Sequence, residues 1–186
     1  QGAKNLNDGI NLIQTADGAL NEQASILIRL REITSQSATG TIGDVERATV
    51  QLEFSALRAE FDRIANSTEV LGTKLLDGSL AASSSDTTVL QIGLDSSDNN
   101  RFDLNQKINL TAITSSALGF STDNIATNTG AVTAMANLSI AIEKLSAIRG
   151  RVGAVQETLD FSKSHMDAHV ENLTGAVSSL RDADFA

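Results

Sequence analysis

The sequence predicts a mainly α-helical fold with a small β-hairpin region (α+β), drawn out as an elongated rod of long helices packed as a coiled-coil-like bundle. Three observations carry that prediction. Leu, Ile and Val recur every seven residues in three separate runs, the period at which helices wind around one another. The 186 residues include no Pro, which removes the strongest helix breaker. Aromatic residues make up 3% of the chain against 41% hydrophobic overall, with no Trp and no Tyr. A core must then be built from aliphatic side chains along a seam rather than from large rings in a thick globule.

Leu6, Ile13, Leu20 and Leu27 stand seven apart, with Ile10, Ala16, Ala24 and Leu30 on the intermediate turns, and predict one helix from about Ala3 to Ser37. At 1.5 Å per residue it extends about 50 Å. The stretch "SATGTIGD" ends it, because two glycines among small hydroxyl residues favour a turn, and Thr41 or Asp44 is the expected cap of the next helix. That second helix, about Asp44 to Ser67, repeats Val50, Leu57 and Ile64, with Val45, Leu52, Phe54 and Phe61 expected to widen its stripe. From Asp77 to Gly130 the texture turns to Ser, Thr, Asn, Asp and Gly. Within it "VLQIGL" and "RFDLNQKINL" alternate with period two through Leu90, Ile92, Leu94 and then Phe102, Leu104, around the turn-rich "DSSDNN", which predicts a hairpin.

The third run is the strongest. Leu138, Leu145, Val152, Leu159, Met166, Leu173 and Leu180 are all seven apart, with Ala141, Ile148, Val155 and Ala176 in the complementary seam positions. A helix from about Thr129 to Asp182 follows, roughly 80 Å long and wound left-handedly against its neighbours. Propensity alone does not hold such a helix, so the first and second helices are expected to cover its stripe. Gly150, Gly153 and Gly175 lie inside it at a cost of about 1 kcal/mol each relative to Ala. They point to close approach by a bundle neighbour or by another subunit.

Composition narrows the function. A net charge of −9 and a pI near 4.6 argue against nucleic-acid binding, which needs clustered Lys and Arg. Without Cys there is no thiolate chemistry. No run of 18 consecutive apolar residues exists, so no membrane insertion is expected. The chain starts at Gln1 with neither Met nor a signal-peptide pattern and stops at "SSLRDADFA" without a cap, so both ends are expected to be cut from a longer protein.

Candidate chemistry is sparse. His165 and His169, in "HMDAH", sit one helical turn apart, but Met166 stands where a zinc protease needs Glu. They are read as a packed or partly exposed structural pair, with a metal-binding enzyme as the alternative of another class. In "DSSDNNRFDLNQ", Asp95, Ser97, Asn99, Arg101, Asp103 and Gln106 fall at calcium-loop spacing. Asn100 replaces the required Gly, Gln106 the bidentate Glu, and Arg101 repels a cation, so a solvated turn is expected. There is no phosphate loop and no nucleophile–base–orienter set, so no catalytic residue, cofactor site or metal site is assigned. Asn66, Asn109, Asn137 and Asn172 open Asn-x-Ser/Thr sequences of low specificity. In "LIRLREITSQS", Arg29, Arg31 and Glu32 alternate with Leu27, Leu30 and Ile33. That pattern is either a solvated helix face or a subunit contact anchored by Arg.

The stretch "NLNDGINLIQTADGALNEQASILIRLREITSQS", followed by "FDRIANSTEVLGTKLLDG" and "LQIG", resembles the N-terminal region of bacterial flagellins. "LSAIRGRVGAVQETLDFSKSHMDAHVENLTGAVSSLRDADFA" resembles their C-terminal region, including "GAVQ", "ENL" and "RDADFA". The resemblance covers nearly the whole chain. It implies a secreted, extracellular structural subunit of the bacterial flagellum, serving motility, without enzyme activity. It further implies the rod-like D1 domain, assembled discontinuously: N-terminal helices over residues 1–76, a hairpin and polar loop over 77–128, and the C-terminal long helix over 129–186. The family's terminal D0 helices, which drive polymerisation, are expected to lie outside the chain, leaving it a soluble monomer. Other flagellin subunits, the flagellar cap and junction proteins and a Toll-like innate immune receptor are the implied partners; a hook–filament junction protein or other adaptor is the alternative. The implied contact residues are Arg29, Ile33 in place of a Leu, and Glu53, with Ile28, where the family carries Gln, and Arg31 beside them. Leu71 stands where the family usually carries Asn.

Overall fold

The structure is a computed structural model that describes residues 1–85, 87–92, 97 and 100–184, with side chains described up to 179. Its spine is α1, Gly2–Ala38, in which Leu6, Ile13, Leu20, Leu27 and Leu30 are fully buried. A short connection leads to α2, Asp44–Ser67. The long helix α5, Asn128–Asp184, runs antiparallel to α1. Asn128 bonds the Ala38 carbonyl at one end, Arg149 pairs with Asp17 midway, and Gly2 lies near Met166 at the other. All three share one apolar core with the loop between them.

The packing departs from a simple three-helix bundle. α1 lies along both α5 and α2, but α2 does not run along α5. The space between them is filled by the segment that follows the hairpin. It contains α3, Leu104–Ile108, and α4, Ser115–Leu118, and buries Ile113, Phe120 and Ile125. Phe120 meets Phe61 of α2 edge to face at 5.3 Å. Since α2 touches the core on one flank only, its buried line is Arg47, Phe54, Phe61 and Ala65. Val50, Leu57 and Ile64 are half-buried, and Val45 and Leu52, expected in the stripe, are exposed. Neither Thr41 nor Asp44 caps α2: Gly43 occupies the N-cap position. Asp44 and Glu46 instead place negative charge in the first turn, where the helix dipole favours it.

Among the described residues, two antiparallel hairpins complete the fold. The first, β1 (Glu69–Val70) with β2 (Thr73–Lys74), was not expected. Leu71 at φ 52° and Gly72 at φ 82° link its strands, the pair of positive φ values of a type I′ turn. The second, β3 (Val89–Gln91) with β4 (Arg101–Asp103), pairs Leu90 with Phe102. Leu104 opens α3 rather than extending the strand, because Asp103 caps that helix by accepting from the Gln106 amide. Leu94 and most of "DSSDNN", including Asp95 and Asn99, lie outside the described residues. The second hairpin rests on the start of α1, where Gly9 leaves the room: a Cβ there would sit 2.3 Å from Leu90 Cδ1. Asn5 fastens it by donating to the Gln91 carbonyl at 2.7 Å.

Along α5 the seam is buried at Leu138, Leu145, Val152 and Leu159. It then loses its cover, because α1 starts beside this point. Met166 is half-buried, and Phe161, Val170, Leu173 and Val177 are exposed; the side chain of Leu180 lies outside the described residues. Gly150, Gly153 and Gly175 have no described atom within 4 Å of an added Cβ, so no bundle neighbour explains them. α5 also reaches a mean hydropathy of 1.3 over 18 residues, apolar and long enough to cross a membrane, which the search for unbroken apolar runs missed. Its apolar groups are nonetheless arranged as a one-sided seam, and α1 covers the first part of that seam.

Candidate interaction face

The charged stretch of α1 lies opposite α2, and the spacing of both helices explains why. Leu27, Leu30 and Ile33 take the inward positions, leaving Ile28, Arg29, Arg31 and Glu32 outward. On α2 the inward position is Phe54, which turns Glu53 toward Arg29. Arg29 donates from Nε and Nη2 to Glu53 Oε1, at 2.9 and 2.7 Å, and from Nη1 to Glu32 Oε2 at 3.2 Å. The hydrogen bond to Glu53, then that to Glu32, holds the guanidinium above its ordinary pKa.

These groups are half-exposed, 51% for the Arg29 side chain and 44% for Glu53. Exposed ion pairs contribute little to folding. What the pair does is hold one planar charged group in a defined place across two helices. Apolar groups flank it: Ile28 is 56% exposed and Leu52, next to Glu53, is 73% exposed. On the other side, Ile28, Arg31, Glu32 and Ser35 of α1 and Ile142 of α5 line a shallow groove. A face of exposed aliphatic groups around a fixed Arg suits association with another protein.

Of the five expected contact residues, Arg29 and Glu53 pair across α1 and α2, while Ile28 and Arg31 are exposed on α1 and line the neighbouring groove. The fifth does neither. Ile33 is 1% exposed and packs in the core, so its side chain offers a partner nothing in this fold; its place on the inward line after Leu30 decides that.

Other candidates are not assembled into a site. His165 and His169 are both exposed on α5, not packed. Among the described residues no group of three or more His, Cys, Asp or Glu could hold a metal. Arg101 and Asp103 are strand residues of the second hairpin and Gln106 lies in α3, whereas Asp95 and Asn99 lie outside the described residues.

Of the buried polar groups that escaped the sequence reading, Arg47 and Gln23 tie separate elements together. Arg47 is 6% exposed and donates to the carbonyls of Ser37, Thr39 and Ile42, closing the end of α1. The signal was present: an Arg seven residues before Phe54, just after a Gly-rich turn. Gln23, fully buried, donates to the carbonyls of Phe61 and Ile113 at 3.1 and 3.0 Å and so ties α1 to α2 and to the loop.

Comparison with known proteins agrees with this architecture. The family described as the bacterial flagellin N-terminal helical region matches residues 1–81, and the bacterial flagellin C-terminal helical region matches residues 135–186. The flagellin of Halalkalibacterium halodurans is 36% identical over the whole chain, which covers 65% of that protein. The Bacillus subtilis flagellin is 35% identical over 99% of the chain and 68% of its own length. The flagellar filament 30.7 kDa core protein of Treponema maltophilum is 32% identical over the whole chain and 67% of its own. The chain thus spans about two thirds of the length of these relatives. The crystal structure of Bacillus cereus flagellin superposes with a TM-score of 0.73 at 26% identity, covering 94% of each chain. A structure assigned to a flagellar hook-associated protein of Vibrio parahaemolyticus reaches the same score at 12% identity, covering 96% of this chain and 89% of its own, a likeness of fold alone. The chain belongs to the bacterial flagellin family, the structural proteins of the flagellar filament.

Proposed function

We propose that this chain is the D1 rod of a filament subunit: a secreted, extracellular, non-enzymatic building block that bonds to copies of itself through the face built on Arg29, Glu53, Ile28 and Arg31. The observation that carries the reading is that an ion pair of little value to folding is held rigidly across α1 and α2, beside exposed aliphatic groups, on a stiff helical body. Many modest contacts of that kind, repeated by a head-to-tail symmetry that does not close, build a filament. Residues 1–76, 77–128 and 129–186 act as one discontinuous domain, supported by their shared core. The family's polymerising terminal helices lie outside residues 1–186, in keeping with the longer relatives and with the seam of α5 that continues past α1. Electron microscopy tests this: protein extended to the relatives' full length forms filaments, whereas residues 1–186 alone stay monomeric in sedimentation. Long polymers of residues 1–186 would overturn the division of labour.

The same face is the proposed ligand surface for a Toll-like innate immune receptor, with Ile33 supporting Arg29 from beneath rather than touching the partner. Cap and junction proteins are further proposed partners at the filament ends. A second reading is a hook–filament junction protein, with which the chain shares a fold and nothing further. Copies per flagellum separate the two, many for a filament subunit and few for an adaptor.

A further inference from the structure

The outer face of α2 is apolar and has no cover. Val45 and Leu52 are 79% and 73% exposed, and Ala48, Ala56 and Ala59, all exposed, continue the same side of the helix. Negative charge brackets Val45, because Asp44 and Glu46 are exposed and form no ion pair among the described residues. Positive charge without an acidic partner gathers instead on α5. Arg151 is exposed and unpaired among the described residues, and Lys144 reaches only the Leu118 carbonyl, at 3.4 Å. Between them stands Gly150, exposed on the outer side of α5 with Ala147 and Ala154. Both faces lie within the span of α1: Glu53, next to Leu52, pairs with Arg29, and Arg149, next to Gly150, pairs with Asp17.

We propose, resting on the filament reading above, that the outer face of α2 docks on the outer face of α5 in a second copy of this chain, with Leu52 seated at Gly150. Charge selects this occupant. The unpaired acids around Val45 attract the unpaired cations around Gly150, whereas α2 laid on the α2 of another copy sets like charges together. Shape agrees with charge. The distance between packed helices is set by the side chains at the contact, and Ala147, Gly150 and Ala154 let a neighbour's Leu enter as a knob into a hole. Gly150 costs α5 about 1 kcal/mol relative to Ala, and an added Cβ there meets nothing within 4 Å, so the room it leaves serves nothing inside the chain. Since α2 and α5 do not run along each other, each copy offers α2 to one neighbour and α5 to another. Two different faces joined in this way extend a row of copies instead of closing a pair. A contact of a few apolar side chains is small and holds through repetition, which fits the monomeric behaviour expected of residues 1–186 alone.

The chain has no Cys, so Leu52→Cys and Gly150→Cys each introduce a single thiol. Both are made in protein extended to the relatives' full length, polymerised as a mixture and treated with a short bismaleimide. The mixture gives dimers linked between positions 52 and 150, on the order of tenfold more than either variant polymerised alone, because docking raises the effective concentration of the two thiols. Gly150→Leu, which nothing in the chain obstructs, keeps the helical circular dichroism and raises the critical concentration for polymerisation about tenfold, as the loss of one interface anchor does. Arg151→Glu raises it too, and Glu46→Arg in the same chain restores it, a rescue that a merely structural role of Arg151 does not give. Filaments without the mixed cross-link, a critical concentration that Gly150→Leu leaves unchanged, or an Arg151→Glu defect that Glu46→Arg does not reverse overturns this pairing and leaves the filament reading standing. Absence of both filaments and cross-link overturns both.

Discussion

Removing the Arg47 guanidinium should destabilise the whole rod, although the residue lies in no catalytic or contact site. Arg47 is 6% exposed and serves three carbonyls, those of Ser37, Thr39 and Ile42, which the end of α1 and the following turn leave without partners. Only the bond to Ser37 is buried outright; those to Thr39 and Ile42, each 3.0 Å, are part-buried. A hydrogen bond from a charged donor contributes about 1.5–3 kcal/mol net. The buried one counts in full, and the other two count for a fraction because water replaces the donor. Arg47→Ala should therefore cost about 3 kcal/mol, read as a shift of the urea midpoint at unchanged slope in circular dichroism at 222 nm. Arg47→Lys keeps the charge but cannot fan its donors toward three divergent carbonyls, so it should recover less than half of the loss. A loss below about 1 kcal/mol in the Ala variant, or full recovery by Lys, would refute the argument by showing that water satisfies the carbonyls and the side chain merely fills space.

Leu71, 90% exposed and at φ 52°, occupies a conformation that costs an ordinary L-residue about 1–2 kcal/mol. Leu71→Asn should raise stability by about 0.5–1 kcal/mol, measured by thermal unfolding, since Asn tolerates that region. Asp123 has one buried carboxylate oxygen without a partner, and desolvation raises its pKa despite the Asn137 hydrogen bond and nearby Arg58. Its folded form binds a proton more tightly than its unfolded form, so its contribution is present below the ordinary carboxylate value and is lost as pH rises through the raised one. Asp123→Asn should flatten that stretch of the stability–pH curve, and an unchanged slope in denaturation from pH 3 upward would count against it. Arg29→Ala with Glu53→Ala should leave helicity and the unfolding midpoint nearly unchanged. The same pair should cut receptor activation in a reporter-cell assay more than tenfold.

What was legible from residues alone followed from local periodicity. The spans of α1, α2 and α5 emerge within two residues of the expected limits, because a seven-residue apolar repeat without Pro admits one regular structure. The outward position of Ile28, Arg29 and Arg31 follows from the same periodicity, and so should have the burial of Ile33. Pairing across elements was not legible. That Arg29 meets Glu53, that α2 turns Phe54 and Phe61 inward in preference to Leu57 and Ile64, and that the segment around Phe120 separates α2 from α5 all depend on how three helices share one spine. The first hairpin escaped because Leu in a left-handed turn contradicts local preference and is tolerated only when the flanking chain is anchored, here by Leu75 and Leu76 in the core. Periodicity specifies which side of each helix is greasy; only the packed structure specifies what lies against it, because burial is a property of neighbours brought together from distant parts of the chain.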